Sequence, residues 1–171
     1  MDEQLQETYN SHILIVEDDI DQLRLLVDFA QTEIKRNIDN QNTNELQKQK
    51  LSNIKIITAT NISSLQKAVK IHKNILLAIL DCNIPDTKGD KPHDQFIKTN
   101  HKITGQHKAV DIVSEYIPDT PITMISSLNR FQRIVNQYYK NKYNLGINFI
   151  KKKDTSIIQN NIGWYLRQHL K

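Results

Sequence analysis

Four polar groups stand directly behind apolar runs. Glu17, Asp18 and Asp19 follow His12 to Val16, and Asp81 follows Ile75 to Leu80. Ser126 and Ser127 follow Ile122 to Ile125, and Lys151, Lys152 and Lys153 follow Ile147 to Ile150. Brought to one place, Glu17, Asp18 and Asp81 would repel one another, and each would lose hydration. A hard divalent cation relieves both costs. Mg²⁺ takes oxygen ligands in octahedral geometry, keeps several waters and commonly shares its shell with a phosphate. A hydroxyl from Ser126 and an ammonium from Lys152 would bind the remaining phosphoryl oxygens. Phosphoryl transfer rests mainly on positioning and charge stabilisation, so this short set suffices for it.

Each of these groups needs an element that delivers it. Short continuous apolar runs suit parallel strands covered on both faces. A fifth run, Ile54-Lys55-Ile56-Ile57 within Leu51 to Thr58, is second in chain order. Between the runs, apolar residues recur at intervals of three and four. Ile20, Leu23, Val27, Ala30 and Ile34 do so, then Leu65, Val69 and His72, then Val110, Val113 and Ile117. Phe131, Ile134, Val135 and Tyr138 repeat the pattern, and Ile158, Ile162, Tyr165 and His169 close it. This spacing predicts helices, with Ser63 capping the second and Asp154 or Thr155 the last. The alternation predicts an α/β fold: a doubly wound five-stranded parallel sheet with helices on both faces. In the strand order 2-1-3-4-5, the first and third strands are neighbours at the switch point. Ligands bind there, beyond the carboxyl ends of the strands.

The 171 residues read as a single domain, with its core from about residue 11 to 171. Two insertions exceed the ~2–6 residues usual for such connections. Residues 37–50 are rich in Asn, Gln and Lys. Residues 86–107 carry His93, His101 and His107, whose spacing matches no zinc motif. This second segment leaves from the active edge and holds Phe96, Ile97 and Ile103 as apolar anchors, which predicts an ordered lid or docking element. The net charge of +4 is spread along the chain without a nucleic-acid motif, so no direct nucleic-acid contact is expected. The one cysteine, Cys82, excludes an internal disulfide and should face away from Asp81 into the core. No signal-peptide pattern opens the chain, and its longest apolar run is far short of the ~20 residues of a membrane span. A soluble cytoplasmic protein is expected.

Each polar group has an ordinary explanation: acids at a helix start, a strand-end cap, a helix N-cap, a solvated lysine edge. Their joint order is less ordinary. The chain resembles bacterial response-regulator receivers over most of its length. ILIVEDD resembles that family's first strand and acidic pair, and LDCNIPDTKG its phosphoacceptor turn. PITMISS is similar to the fourth strand, and FIKKK to the fifth.

The resemblance implies a flavodoxin-like receiver fold with Asp81 as phosphoacceptor. Glu17, Asp18, Asp81 and the backbone carbonyl of Asn83 would hold Mg²⁺. Ser126 would be the switch hydroxyl, Ser127 its small neighbour, Lys152 the phosphate-binding lysine and Phe149 the switch aromatic. Three departures stand out. Lys153 occupies the place of the usual proline, which leaves Lys151 and Lys153 open as alternatives to Lys152. Glu17 replaces the commoner aspartate, and the 86–107 segment is much longer than usual.

The function implied is a phosphorylation-controlled switch of the two-component phosphorelay kind. A sensor histidine kinase or phosphotransfer protein would donate the phosphoryl group. The chain ends after the fifth helix, so it would act through a downstream protein docked on the fourth helix, fifth strand and fifth helix. It would not be an enzyme beyond catalysing its own aspartyl phosphorylation and dephosphorylation. The alternative is a pseudo-receiver, a protein-binding module independent of phosphorylation. A haloacid-dehalogenase-type phosphatase needs a second aspartate two residues after the nucleophile, where this chain has Asn83.

Overall fold

The computed structural model describes residues 10–90, 96–99, 102–126, 137–141 and 147–171, with only the main chain described for 96–99 and 102–106. Strands β1 (His12–Val16), β2 (Lys55–Ala59) and β3 (Ile75–Asp81) are followed by β4 (Phe96–Thr99) and β5 (Lys102–His107). Strands β6 (Ile122–Ser126) and β7 (Ile147–Lys151) complete the set. The helices are α1 (Ile20–Ile38), α2 (Glu45–Ser52), α3 (Ile62–Ile71), α4 (Lys108–Tyr116) and α5 (Thr155–His169). Residues 137–141 are also helical. The main sheet is parallel, in the order β2-β1-β3-β6-β7, which is the expected 2-1-3-4-5 winding.

Strand alternation builds two cores. Leu14, Val16, Ala78, Leu80, Ile122 and Met124 pack with Leu65 and Val69 of α3 and Val110 and Val113 of α4. The intervening Ile13, Ile15, Leu77, Ile79, Ile125 and Ile150 pack with Leu26 and Ala30 of α1 and Ile158 and Ile162 of α5. Successive strand side chains point to opposite faces, so a strand buried on both faces must be apolar at nearly every position. Polar side chains on the sheet find partners: Thr123 Oγ1 donates to Asn161 Oδ1 at 2.8 Å, and Asn148 Nδ2 to the Tyr165 hydroxyl at 3.0 Å.

Several local expectations change. Residues 37–50 include the start of α2, whose Asn44 and Gln47 form a reciprocal capping box. Leu51 is therefore helical, and β2 starts at Lys55. Asn61, not Ser63, caps α3: its Oδ1 accepts from the Ser64 N–H at 2.7 Å, and Ser64 Oγ accepts from the Asn61 N–H at 3.2 Å. Ser63 sits inside the helix, with its N–H donating to the Asp86 carbonyl at 3.0 Å. Asp154 holds the N-cap position of α5 without a side-chain cap bond. Within 86–107, β4 and β5 form an antiparallel pair separate from the main sheet. Among the described residues, no helix is long and apolar enough to cross a membrane. The expectations at Ser127, His93, His101, Phe131, Ile134 and Val135 lie outside the described residues.

Candidate functional site

The carboxyl ends of β1, β3 and β7 meet around one ammonium. Strands β1 and β3 are paired neighbours, with Val16 opposite Leu80, so the residues following each strand emerge side by side. Glu17 is fully buried and Asp81 is 2% exposed. Lys152 Nζ lies 2.9 Å from Asp81 Oδ2, 2.9 Å from Glu17 Oε2 and 3.0 Å from Glu17 Oε1. Lys151 and Lys153 are exposed, so of the three consecutive lysines it is Lys152 that enters the site. Its main chain is fixed by an N–H bond to the Ser126 carbonyl at 3.1 Å. This bond continues the β6–β7 pairing, in which Ser126 faces Lys151.

The electrostatics follow from burial. Desolvation, then the charge of Asp81, pushes Glu17 up to about 7, against the pull of Lys152. Desolvation also raises Asp81, although Lys152 and the N–H groups of Asn83 and Cys82 favour its charged form. Burial works against the charge on Lys152, but Asp81 and Glu17 outweigh it and hold the ammonium above its ordinary value. Burial thus disfavours the charge of both acids, and Lys152 is the cation that offsets it.

Asp18 completes the cluster. One carboxylate oxygen from each of Glu17, Asp18 and Asp81 lies within 4.8 Å of the other two. All three candidate ligand atoms are oxygens, the donor type a hard divalent cation selects. Three carboxylates against one ammonium leave an excess of negative charge, so the residues fit such an ion. Asp19 has a different task. Its Oδ1 accepts from the N–H groups of Asp21 and Gln22, at 3.0 and 3.1 Å, and caps α1. The acidic run therefore supplies both the helix cap and two members of the carboxylate cluster.

The remaining expected residues lie nearby. Ser126 is buried at the end of β6. Phe149 is half-buried on β7 opposite Met124, against the α3–α4 core that also receives Tyr138. Asn83 is exposed, and its main chain serves Asp81 through the N–H. Cys82 is buried in the α3–α4 core, as its strand parity requires. Two residues gave no usable sequence signal. His107 is fully buried, with its ring 3.3 Å from the Cys82 carbonyl, and Tyr139 is fully buried against the His107 main chain. Lys108, the next residue, forms an ion pair with Asp86.

Comparison with solved structures bears on the architecture. The N-terminal domain of a response regulator/sensory box/GGDEF protein from Carboxydothermus hydrogenoformans superposes with a TM-score of 0.53 at 10% identity, covering 93% of this chain and 96% of that one. A response regulator receiver domain from Clostridium thermocellum gives 0.51 at 12% identity, covering 94% and 98%. The non-phosphorylated receiver domain of the stress response regulator RcsB from Escherichia coli gives 0.53 at 9% identity, covering 94% and 95%. This chain has the receiver fold. At such identities the likeness speaks for the fold alone. No family model and no curated protein matches the chain. Within the receiver fold, the acidic cluster and Lys152 occupy the carboxyl edge of the sheet at the β1–β3 switch point, where the strand order reverses.

Proposed function

We propose that the chain is a phosphorylation-controlled signalling switch, in which Asp81 takes a phosphoryl group from a histidine of a sensor kinase or phosphotransfer protein. The observation that carries this reading is the site itself: two buried carboxylates, Asp81 and Glu17, share one ammonium at 2.9 Å with Asp18 beside them. An Asp81 oxygen forms the new bond to phosphorus as the bond from phosphorus to the donor nitrogen breaks, and the imidazole leaves with the electron pair. Lys152 stays charged throughout and offers its N–H groups to the transferred oxygens. Ser126, at the end of β6, offers a hydroxyl to another. Mg²⁺, held by Glu17, Asp18, Asp81 and the Asn83 carbonyl, would supply the remaining positive charge. The chain acts on its own carboxylate, forming the acyl phosphate and speeding its hydrolysis, rather than on a separate substrate.

Drawing Ser126 towards the phosphoryl group would shift the chain that follows β6. Phe149, packed beside Met124 on the adjoining strand, would readjust. The face made by helical residues 137–141, β7 and α5 would then change shape and present itself to a downstream protein. The test is treatment with acetyl phosphate and Mg²⁺, followed by mass measurement and peptide mapping. One added phosphoryl group on Asp81, lost in Asp18→Ala, is the expected result. A label on Asp18, Asp86 or a histidine overturns the assignment. A second reading, a binding module that takes no phosphate, has one observation in its favour: Lys152 already bridges the two buried acids of the site. A chain that folds and stays unlabelled would favour it.

A further inference from the structure

His107 is a buried titratable group that the phosphoryl chemistry leaves unused. It closes β5, where the long segment returns to the main body. Its ring Nε2 lies 3.3 Å from the Cys82 carbonyl. A carbonyl oxygen only accepts, so the ring carries its hydrogen on Nε2 and donates. Cys82 stands between Asp81 and Asn83, in the turn whose N–H groups hold the Asp81 carboxylate. Burial lowers the imidazole to about 4, so near neutral pH it is an uncharged donor that adds no charge to the acidic cluster.

The main chain of His107 is fixed separately. Its N–H donates to the Tyr139 hydroxyl at 2.9 Å, and its carbonyl accepts from the same hydroxyl at 3.1 Å. Tyr139 is itself anchored in the α3–α4 core. His107 holds the N-cap position of α4, yet its side chain makes no cap bond. The ring is committed to the turn after Asp81.

We propose that His107 is a positioning residue for Asp81, fixing the turn that aims the carboxylate and so joining the β4–β5 pair to the site. This rests on the phosphoacceptor reading given above. Losing the His107 donor weakens the hold on the Cys82 carbonyl, so the turn that carries Asp81 would loosen. Displacing a reacting group by about 1 Å can slow a reaction on the order of 100-fold.

The test compares His107→Leu, which removes the donor, with His107→Gln, whose side-chain amide can donate from a similar position. Two quantities are read: the rate constant and final extent of labelling by acetyl phosphate with Mg²⁺, and amide hydrogen exchange across Asp81, Cys82 and Asn83. The leucine variant should label at least about tenfold more slowly, to the same final extent, with faster exchange in that turn. The glutamine variant should restore both. A lower extent at an unchanged rate constant would mean partial unfolding only, and overturns the positioning role. So does unchanged exchange, or faster exchange with unchanged labelling kinetics. If the wild-type chain takes no label, the phosphoacceptor reading fails, and exchange alone decides whether His107 holds the turn. Should the leucine variant not fold, His107→Met removes the same ring donor and is read in the same way. Slower labelling and faster exchange there support the inference, and no change overturns it.

Discussion

The two ends of the same strands close in opposite ways. At the amino edge, the buried polar side chains are uncharged and hydrogen-bonded to their neighbours. The His12 Nδ1–H donates to the Asn74 carbonyl at 3.3 Å, and Asn74 Nδ2 donates to Ser11 Oγ at 3.1 Å. Ser11 Oγ lies 3.4 Å from His169 Nε2. Burial lowers His12 and His169, which keeps both uncharged near neutral pH. At the carboxyl edge, Glu17 and Asp81 are buried as acids around one lysine, with Asp18 adjoining. Stability calls only for the first kind of closure, since neutral hydrogen bonds satisfy strand ends without an ionic desolvation penalty. The second kind is retained at a stability cost, which points to use.

The largest expected effect separates use from stability. Asp81→Asn should lose all labelling by acetyl phosphate yet fold with a thermal midpoint equal to or above that of the wild type, because one buried carboxylate is gone. A variant that fails to fold would make the carboxyl edge structural and erase the contrast.

Lys152→Met tests the same edge from the other side. Glu17 and Asp81 would be left buried without their cation, at a cost of about 3–5 kcal/mol. Urea denaturation reads this loss, and added Mg²⁺ should recover part of it. Equal stability in the two proteins would show that the acids had taken up protons or water instead.

His107 adds a pH dependence. Its value is lowered from 6.5 to about 4, so the unfolded chain binds its proton more readily than the folded one. The stability it contributes is complete above pH 6.5 and is lost as pH falls towards 4, about 3 kcal/mol in all. Glu17, raised from 4.5 to about 7, works the opposite way and loses stability as pH rises through that interval. The His107 contribution is therefore read as a difference. Denaturation midpoints of wild type and His107→Gln should diverge steadily from pH 4 to pH 6.5, and parallel curves would count against a neutral buried imidazole.

The smallest effect belongs to the amino edge. Asn74→Ala removes the bond to Ser11 while keeping the carbonyl that His12 uses. It should cost about 1 kcal/mol and leave the labelling rate unchanged. A slower rate would mean that the two edges are coupled.

Much of this site was legible because strand chemistry is local. Apolar runs closed by Glu17, Asp81, Ser126 and the lysines announced both the sheet and the edge where chemistry gathers. Helix α2 was not legible, since Leu51 is its one fully buried residue and leaves no apolar period to read. The cap at Asn61 was missed because Asn and Ser are both good caps, and only the reciprocal bond with Ser64 decides between them.

By itself, the sequence determined which residues could carry charge to the sheet edge, because a two-residue side-chain period and apolar content are properties of each strand alone. Tertiary structure decided which of them meet. Three adjacent lysines are equivalent as sequence, and only the pairing of β7 on β6 turns Lys152 towards Glu17 and Asp81. The bond from His107 to Cys82 spans 25 positions, and that from Tyr139 to His107 spans 32. No local preference encodes such contacts. They form when burial leaves a carbonyl, a ring nitrogen and a hydroxyl with one another as partners in place of water.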